Sequence, residues 1–423
     1  ILISFFLAAK ANRNRYMQLV IKILIILISI SPAFALGEGN RNLLLIMAMG
    51  LSPLLLLRRL TLIPKIDVPI ISLCFCLICF PLFTHPETMR WSTILYSCMF
   101  CLFFVSYAHI LPYSRLPIDK YVNLLGRLIV AFSIVLVLQQ ICVLFGLPVI
   151  NLSNYDPDTP WKLNSLSSEP SHSARFVAIL MYSYLWMQDL LFGRQVGLGE
   201  SVKKHTGIWL AFFWVMLTSG SGTAIMLLGI IFLRYINGRY VLRTTLLAVL
   251  LMFVLHTVEY EPIERVYRFF MAAITFDKNE MVNVDHSASL RLLPSITCIE
   301  HSDLTTLNGW TGHGVDYASN MLYTEIPGVK EGYSGGGYLL IALEYGFIPF
   351  LIITCFTLGI CYHKKYKLQS VLLWLTCCLI LGINMQIAWA FIIFSYTNKY
   401  FEHNLCSYRW GQRVADRGYL IRV

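Results

Sequence analysis

Hydrophobic residues in this chain come in long blocks, and polar residues fall mainly between them. Apolar runs of near-bilayer length, at about 17–36, 43–57, 66–84, 91–112, 121–147, 172–192, 206–217, 223–236, 241–258, 336–360, 368–382 and 385–397, predict twelve membrane spans. Two boundaries are set by polarity rather than by length. Stretch 206–236 has Lys203 and Lys204 before it, Arg234 and Arg239 at its far end and Ser219-Gly220-Ser221-Gly222 in the middle, which fits two short helices and a tight turn. By the same reasoning 368–397 divides at Gly382 to Asn384, because Lys365 and Lys367 precede it while Lys399, Arg409, Arg413, Arg417 and Arg422 follow it. Residues 1–16, with Lys10, Arg13 and Arg15, are set aside as an upstream extension, and the span from Met17 is read as an uncleaved anchor. The expected fold is all-α, one polytopic helical domain over 17–423 whose long loop at 259–335 folds over a membrane face.

Composition agrees with this pattern. For 423 residues, 57% hydrophobic, 13% charged and a mean hydropathy of +0.65 exclude a set of soluble domains. A formal charge of +10 invites a polyanion partner, yet the basic residues gather in alternate connectors. These are Arg58, Arg59 and Lys65; Arg115 and Lys120; Arg194, Lys203 and Lys204; Arg234, Arg239 and Arg243; Lys364, Lys365 and Lys367. That bias retains connectors in the cytoplasm, so the charge reports topology, with both termini inside and no nucleic-acid partner expected. Glu259 to Tyr333 carries five basic residues against eleven acidic ones and is placed outside. Of the twelve cysteines, those from Cys74 to Cys142 and from Cys355 to Cys378 lie in or beside apolar runs and read as small hydrophobes. Cys98-x-x-Cys101 has the spacing of a redox or zinc pair but is embedded in apolar sequence, and Cys298 is the only cysteine of the longest polar loop, so no disulfide framework is expected.

Several polar groups enter the spans in their outer halves. A charge at a span centre costs about 2.5–3.5 kcal/mol on insertion scales. The residues concerned are Gln139 and Gln140, Ser219 and Ser221, Asn384 and Gln386, and Glu344, which lies eight residues after Gly336, roughly 12 Å of helix rise. Either they line a polar chamber open to the outer leaflet, or each satisfies a neighbouring helix.

The chemistry-bearing residues sit in two outer loops. The first runs from Trp161 through Ser168-Glu169-Pro170-Ser171-His172-Ser173 to Arg175; Pro170 suits a helix start, Ser171 or Ser173 can cap free amides, and Arg175 can meet an anion or snorkel. The second holds Ser287-x-Ser289-x-Arg291, then Trp310-Thr311-Gly312-His313-Gly314, then Gly335-Gly336-Gly337. Glycines beside His313 let backbone approach a ligand, and an Arg with a nearby imidazole suits a pyrophosphate leaving group, although by spacing alone a loop His is more readily an ordinary surface residue. Trp161, Trp310, Tyr317, Tyr323 and Tyr333 are candidates either for stacking on sugar rings or for interfacial anchoring.

In their order along a polytopic chain with a late outer loop, Ser168 to Ser171, Ser219 to Gly222, Ser287-x-Ser289-x-Arg291 and Gly312-His313-Gly314 resemble the O-antigen polymerases of the Wzy type and their superfamily, which includes the O-antigen ligases. The resemblance covers the whole layout, and each motif is short. It implies a GT-C-like helical bundle in a bacterial inner membrane that joins lipid-linked repeat units at the periplasmic face. The donor would be a glycan on undecaprenyl pyrophosphate, the acceptor a single lipid-linked repeat unit, and a chain-length regulator a further partner. Carried over by position, Arg175 and Arg291 would hold the pyrophosphate, His313 would orient or neutralise the leaving group, and Glu169 would take the acceptor proton or brace an Arg. Ser171, His172, Ser289, Trp310, Gly312, Gly314 and Glu344 would line the substrate site. No metal or cofactor is implied: polyprenyl pyrophosphate leaves readily, and two Arg contacts of about 1.5–3 kcal/mol each can stand in for a divalent cation. Asp156-Pro157-Asp158 reads as a turn. The alternatives are a ligase that transfers glycan to lipid A core and a lipid-linked oligosaccharide flippase; the long outer loop argues against the flippase.

Overall fold

A computed structural model describes residues 2–37, 41–58, 62–151, 159–236, 268, 271–272, 274–275, 278–284, 286–329, 332–333 and 335–420; the expected span 241–258 lies outside the described residues. The helices, in chain order, are α1 (Leu2–Ser29), α2 (Leu43–Leu51, continued by a 3-10 segment Ser52–Arg58), α3 (Pro64–Thr84), α4 (Trp91–Ser114), α5 (Ile118–Leu144), α6 (Pro170–Phe192), α7 (Leu198–Lys204), α8 (Thr206–Thr218) and α9 (Gly222–Phe232). They are followed by α10 (Lys278–Val284), α11 (His286–Glu300), α12 (Leu307–Thr311), α13 (Tyr317–Glu325), α14 (Gly337–Glu344), α15 (Phe347–Cys361), α16 (Lys367–Trp374, continued by a π turn Leu375–Leu379) and α17 (Gln386–Leu420). Helix α1 begins upstream of Met17.

Among the described residues, α3, α4 and α5 are long and apolar enough to cross a membrane, and shorter apolar helices include α8, α9 and α15. Their surfaces explain why the apolar runs show no helical alternation. Val68, Ile71 and Phe75 on α3, and Ile134, Leu138 and Ile141 on α5, form exposed apolar stripes at helical spacing, suited to lipid. Helix α6 is instead buried at every residue from Ser173 to Gln188, and α17 from Ile387 to Ser395. Helix α6 packs on α5, α8, α9 and α17, while α1 packs on α4 and α17, and α15 on α3 and α17.

The two hairpins expected from polarity are present. Gly220, at φ 66°, turns α8 into α9, and Gly382, at φ 88°, turns the π segment toward α17. The expected continuous span 336–360 is broken instead: α14 ends at Glu344, Tyr345 and Gly346 follow, and α15 starts at Phe347. Gly346 has φ 97°, and a side chain there would overlap the Trp310 carbonyl, so the break is imposed by close backbone packing of the late loop.

Hydrogen bonds join the connectors into two opposite faces. On the loop-rich face, Ser31 N–H donates to Leu166 O (2.9 Å), the Asn42 amide donates to Gln386 Oε1 (3.3 Å), Ser97 bonds Asn384, and Arg90 pairs with Asp316. On the basic face, Gln18 bonds Arg115, Tyr366 bonds Asp189, Gln195 bonds Arg234, and Lys399 bonds Gly359.

Candidate functional site

The loop before α6 is built on one buried amide. Gln139 Nε2 donates to Ile150 O and Asn164 Oδ1 at 2.8 Å, and its Oε1 accepts from Ser165 N at 2.8 Å. Asn164 in turn donates to Asn151 O and Ser167 O. Gln140 likewise bonds Thr218 and Trp214, and Gln386 donates to the carbonyls of Leu27, Ile28 and Ile30. For these amides, satisfaction by neighbouring segments is the observed role.

Helix α6 starts at Pro170 as expected, since proline at N1 lacks only an N–H that would be unpaired anyway. The serines do not cap it. Glu169 is the N-cap without a side-chain bond to the helix amides, Ser173 bonds Asn164 O and Ser167 Oγ, and Ser171 donates to Glu169 Oε2 at 3.3 Å. The Ser173 hydroxyl serves the folded loop and that of Ser171 the Glu169 carboxylate. Arg175 differs from expectation too: it is 3% exposed, one turn inside a helix surrounded by others, and neither faces the outer surface nor snorkels. Its Nη1 lies 3.5 Å from Ser171 Oγ, and its charge acts on Cys377 in the π turn. Arg175, Ser171 and Glu169 thus form a polar line from the core to a carboxylate whose side chain is 51% exposed. His172 closes this group, with Nε2 3.7 Å from Glu169 Oε2 and Nδ1 2.9 Å from Ser168 Oγ.

The second group lies where α14 ends. His313 N donates to Leu343 O (3.0 Å) and Gly314 N to Glu344 O (3.1 Å), so the Gly312–Gly314 strand of backbone is zipped to the helix terminus. The flanking glycines therefore serve packing rather than an open ligand cradle: a side chain at Gly312 would overlap Glu344 O, and one at Gly314 would overlap Thr88. His313 Nδ1 lies 3.2 Å from Leu343 O; since a carbonyl only accepts, Nδ1 carries the proton and Nε2 is left for chemistry. The ring stacks on Tyr317 at 4.7 Å. Glu344 is buried and accepts backbone N–H groups of Asp316 and Ala318, which makes it the anchor of α13. Arg90 Nη1 meets Asp316 at 3.1 Å, and His85 packs against Gly314. Trp310 is half exposed, its indole N–H held by Leu304 O at 2.9 Å and its ring edge-on to Phe347.

Ser289, read as substrate-facing, is buried and donates to Met281 O, tying α11 to α10. The side chain of Arg291 lies outside the described residues. Helix α11 reaches α14 through Ser295, which donates to Gly336 O, and through Cys298, which sits under Gly336. Cys298 is buried, which pushes its thiol up to about 12. Cys98 and Cys101 form a thiol cluster with Cys74 of α3.

Two ionic groups were not anticipated. His109 Nε2 bonds both oxygens of Asp67, at 2.9 and 3.1 Å, between α4 and α3, and Asp67 also accepts from Ile63 N. On the basic face, Arg234 pairs with Asp189, donates to Leu185 O and lies over the Tyr366 ring at 4.3 Å. His109 inside the run 91–112 and Asp67 inside the run 66–84 were the legible signals for the first. No family model matches the chain, and no curated protein or solved structure is significantly similar to it.

Proposed function

We propose that the protein is an O-antigen polymerase of the Wzy type, a metal-independent glycosyltransferase of a bacterial inner membrane whose basic face is cytoplasmic and whose loop-rich face is periplasmic. The observation that carries this reading is that the Ser168–Arg175 and Gly312–Gly314 motifs, far apart in sequence, belong to the same face. Arg90 and Ser97 at the start of α4 hold Asp316 and Asn384, and Gln386 and Ser31 continue the connection to Leu166. In this reading the half-exposed Glu169, with His172 beside it, takes the proton of the acceptor hydroxyl. His313 assists the leaving pyrophosphate only as the imidazolium, with Nδ1–H on Leu343 O and Nε2–H donating to a pyrophosphate oxygen, and Arg175 with Arg291 supplies further positive charge. Arg175 lies within the core, so it acts through Ser171 and Glu169 or on a diphosphate drawn below the surface.

Reconstitution in vesicles with a defined undecaprenyl-pyrophosphate-linked repeat unit, without nucleotide sugar, tests the reaction. A ladder of lengthened glycans is expected; unchanged single units with folded protein defeat it, and product only when lipid A core is added transfers the assignment to a ligase. Orientation is tested separately by Leu307→Cys, at a position 72% exposed, and Lys365→Cys. An impermeant maleimide should label only the first in intact cells.

A further inference from the structure

We propose that a groove between the basic-face ends of α3 and α15 and the middle of α17 holds one anionic phospholipid, with an acyl chain along its wall and its phosphate on Lys65 and Lys399. The groove measures about 770 Å³, inside the range of about 300–1,000 Å³ typical of small-molecule sites. Its wall is apolar, with Ile66, Pro69, Ile352 and Phe356 among the lining residues. The space beside Gly359 is open, since a Cβ there would meet nothing within 4 Å. The two lysines are its only charged lining, and among the described residues no carboxylate faces it. Asp67, adjacent to Ile66 in sequence, is turned the other way onto His109 at 2.9 Å. Lys399 Nζ donates to Gly359 O at 2.7 Å, which fixes one ammonium at the rim without neutralising it. Glu402, one turn further along α17, acts on Lys399 but does not line the groove; two cations at the rim of an apolar cleft between helices, next to a bilayer, match a lipid phosphate with its chain below. This inference does not rest on the glycosyl-transfer reading.

The test uses the full-length chain in detergent with equimolar phosphatidylglycerol and phosphatidylethanolamine, with retained lipid measured by native mass spectrometry. Wild type should keep one phosphatidylglycerol in preference. Lys65→Gln should weaken it roughly fivefold, and Lys65→Gln with Lys399→Gln roughly twentyfold, from the usual contribution of a cation near an anionic surface. Lys399→Arg should retain it. Ser72→Trp, which fills the groove and leaves both charges, should lose it. Equal retention of the two lipids, full affinity in folded Ser72→Trp, or preference for a polyprenyl phosphate over phosphatidylglycerol would each overturn the proposal.

Discussion

The two faces hold their charges differently. On the basic face Arg234 and Asp189 have side chains 1% and 10% exposed, and Tyr366, Leu185 and Gln195 bond to the same pair. On the loop-rich face Arg90 and Asp316 are 59% and 37% exposed at 3.1 Å, and Glu169 meets His172 only at 3.7 Å. The first arrangement leaves little room for a ligand and fixes where α6, α9 and the connector before α16 meet. The second leaves carboxylate and imidazole groups accessible with loose geometry, as expected of a site before substrate binds. The presence of an ionic group therefore does not by itself distinguish the candidate site from the closed cluster; exposure does.

Breaking the closed cluster should have the largest effect. Asp189→Ala strands a buried guanidinium, and removal of one partner from such a pair costs about 3–5 kcal/mol, so folded yield in detergent should collapse. Arg175→Ala and Arg291→Ala should abolish products longer than one repeat unit, read on glycan ladders, with protein level preserved; a wild-type ladder from both would end the proposed role of these arginines. Acid should act next on the basic face. His363 Nδ1 accepts from the backbone N–H groups of Lys365 and Tyr366 at 3.1 Å, and burial, helped by Arg234, pushes its pKa down to about 4. A folded-state pKa below the unfolded value of about 6.5 means that protons favour unfolding, so its contribution is complete above about 6.5 and lost as pH falls toward 4. Tm should drop across that window, and His363→Asn should flatten the drop. The smallest effect belongs to the open face: Arg90→Ala should cost no more than about 1 kcal/mol in thermal unfolding, because the pair is solvent-screened.

Much of the helical layout was legible because lipid-facing and core-facing helices are both apolar, and basic connectors separate them. The turns at Gly220 and Gly382 followed from local polarity. The break at Gly346 did not, since its cause is the Trp310 carbonyl 36 positions earlier. Arg175 read as a surface cation because polar loop precedes it, whereas its depth comes from the ring of helices around α6. The motif glycines were legible as special positions, but their neighbours, the Glu344 carbonyl and Thr88, were not.

The Gln386 side chain, which donates to Leu27, Ile28 and Ile30, has a bearing on biosynthesis. Those acceptors leave the ribosome more than three hundred residues before their donor, as Asn42 does before its partner at a separation of 344. Helix α1 therefore waits with part of its hydrogen bonding provisional, and the bundle is clasped only when the hairpin at Gly382 has been made.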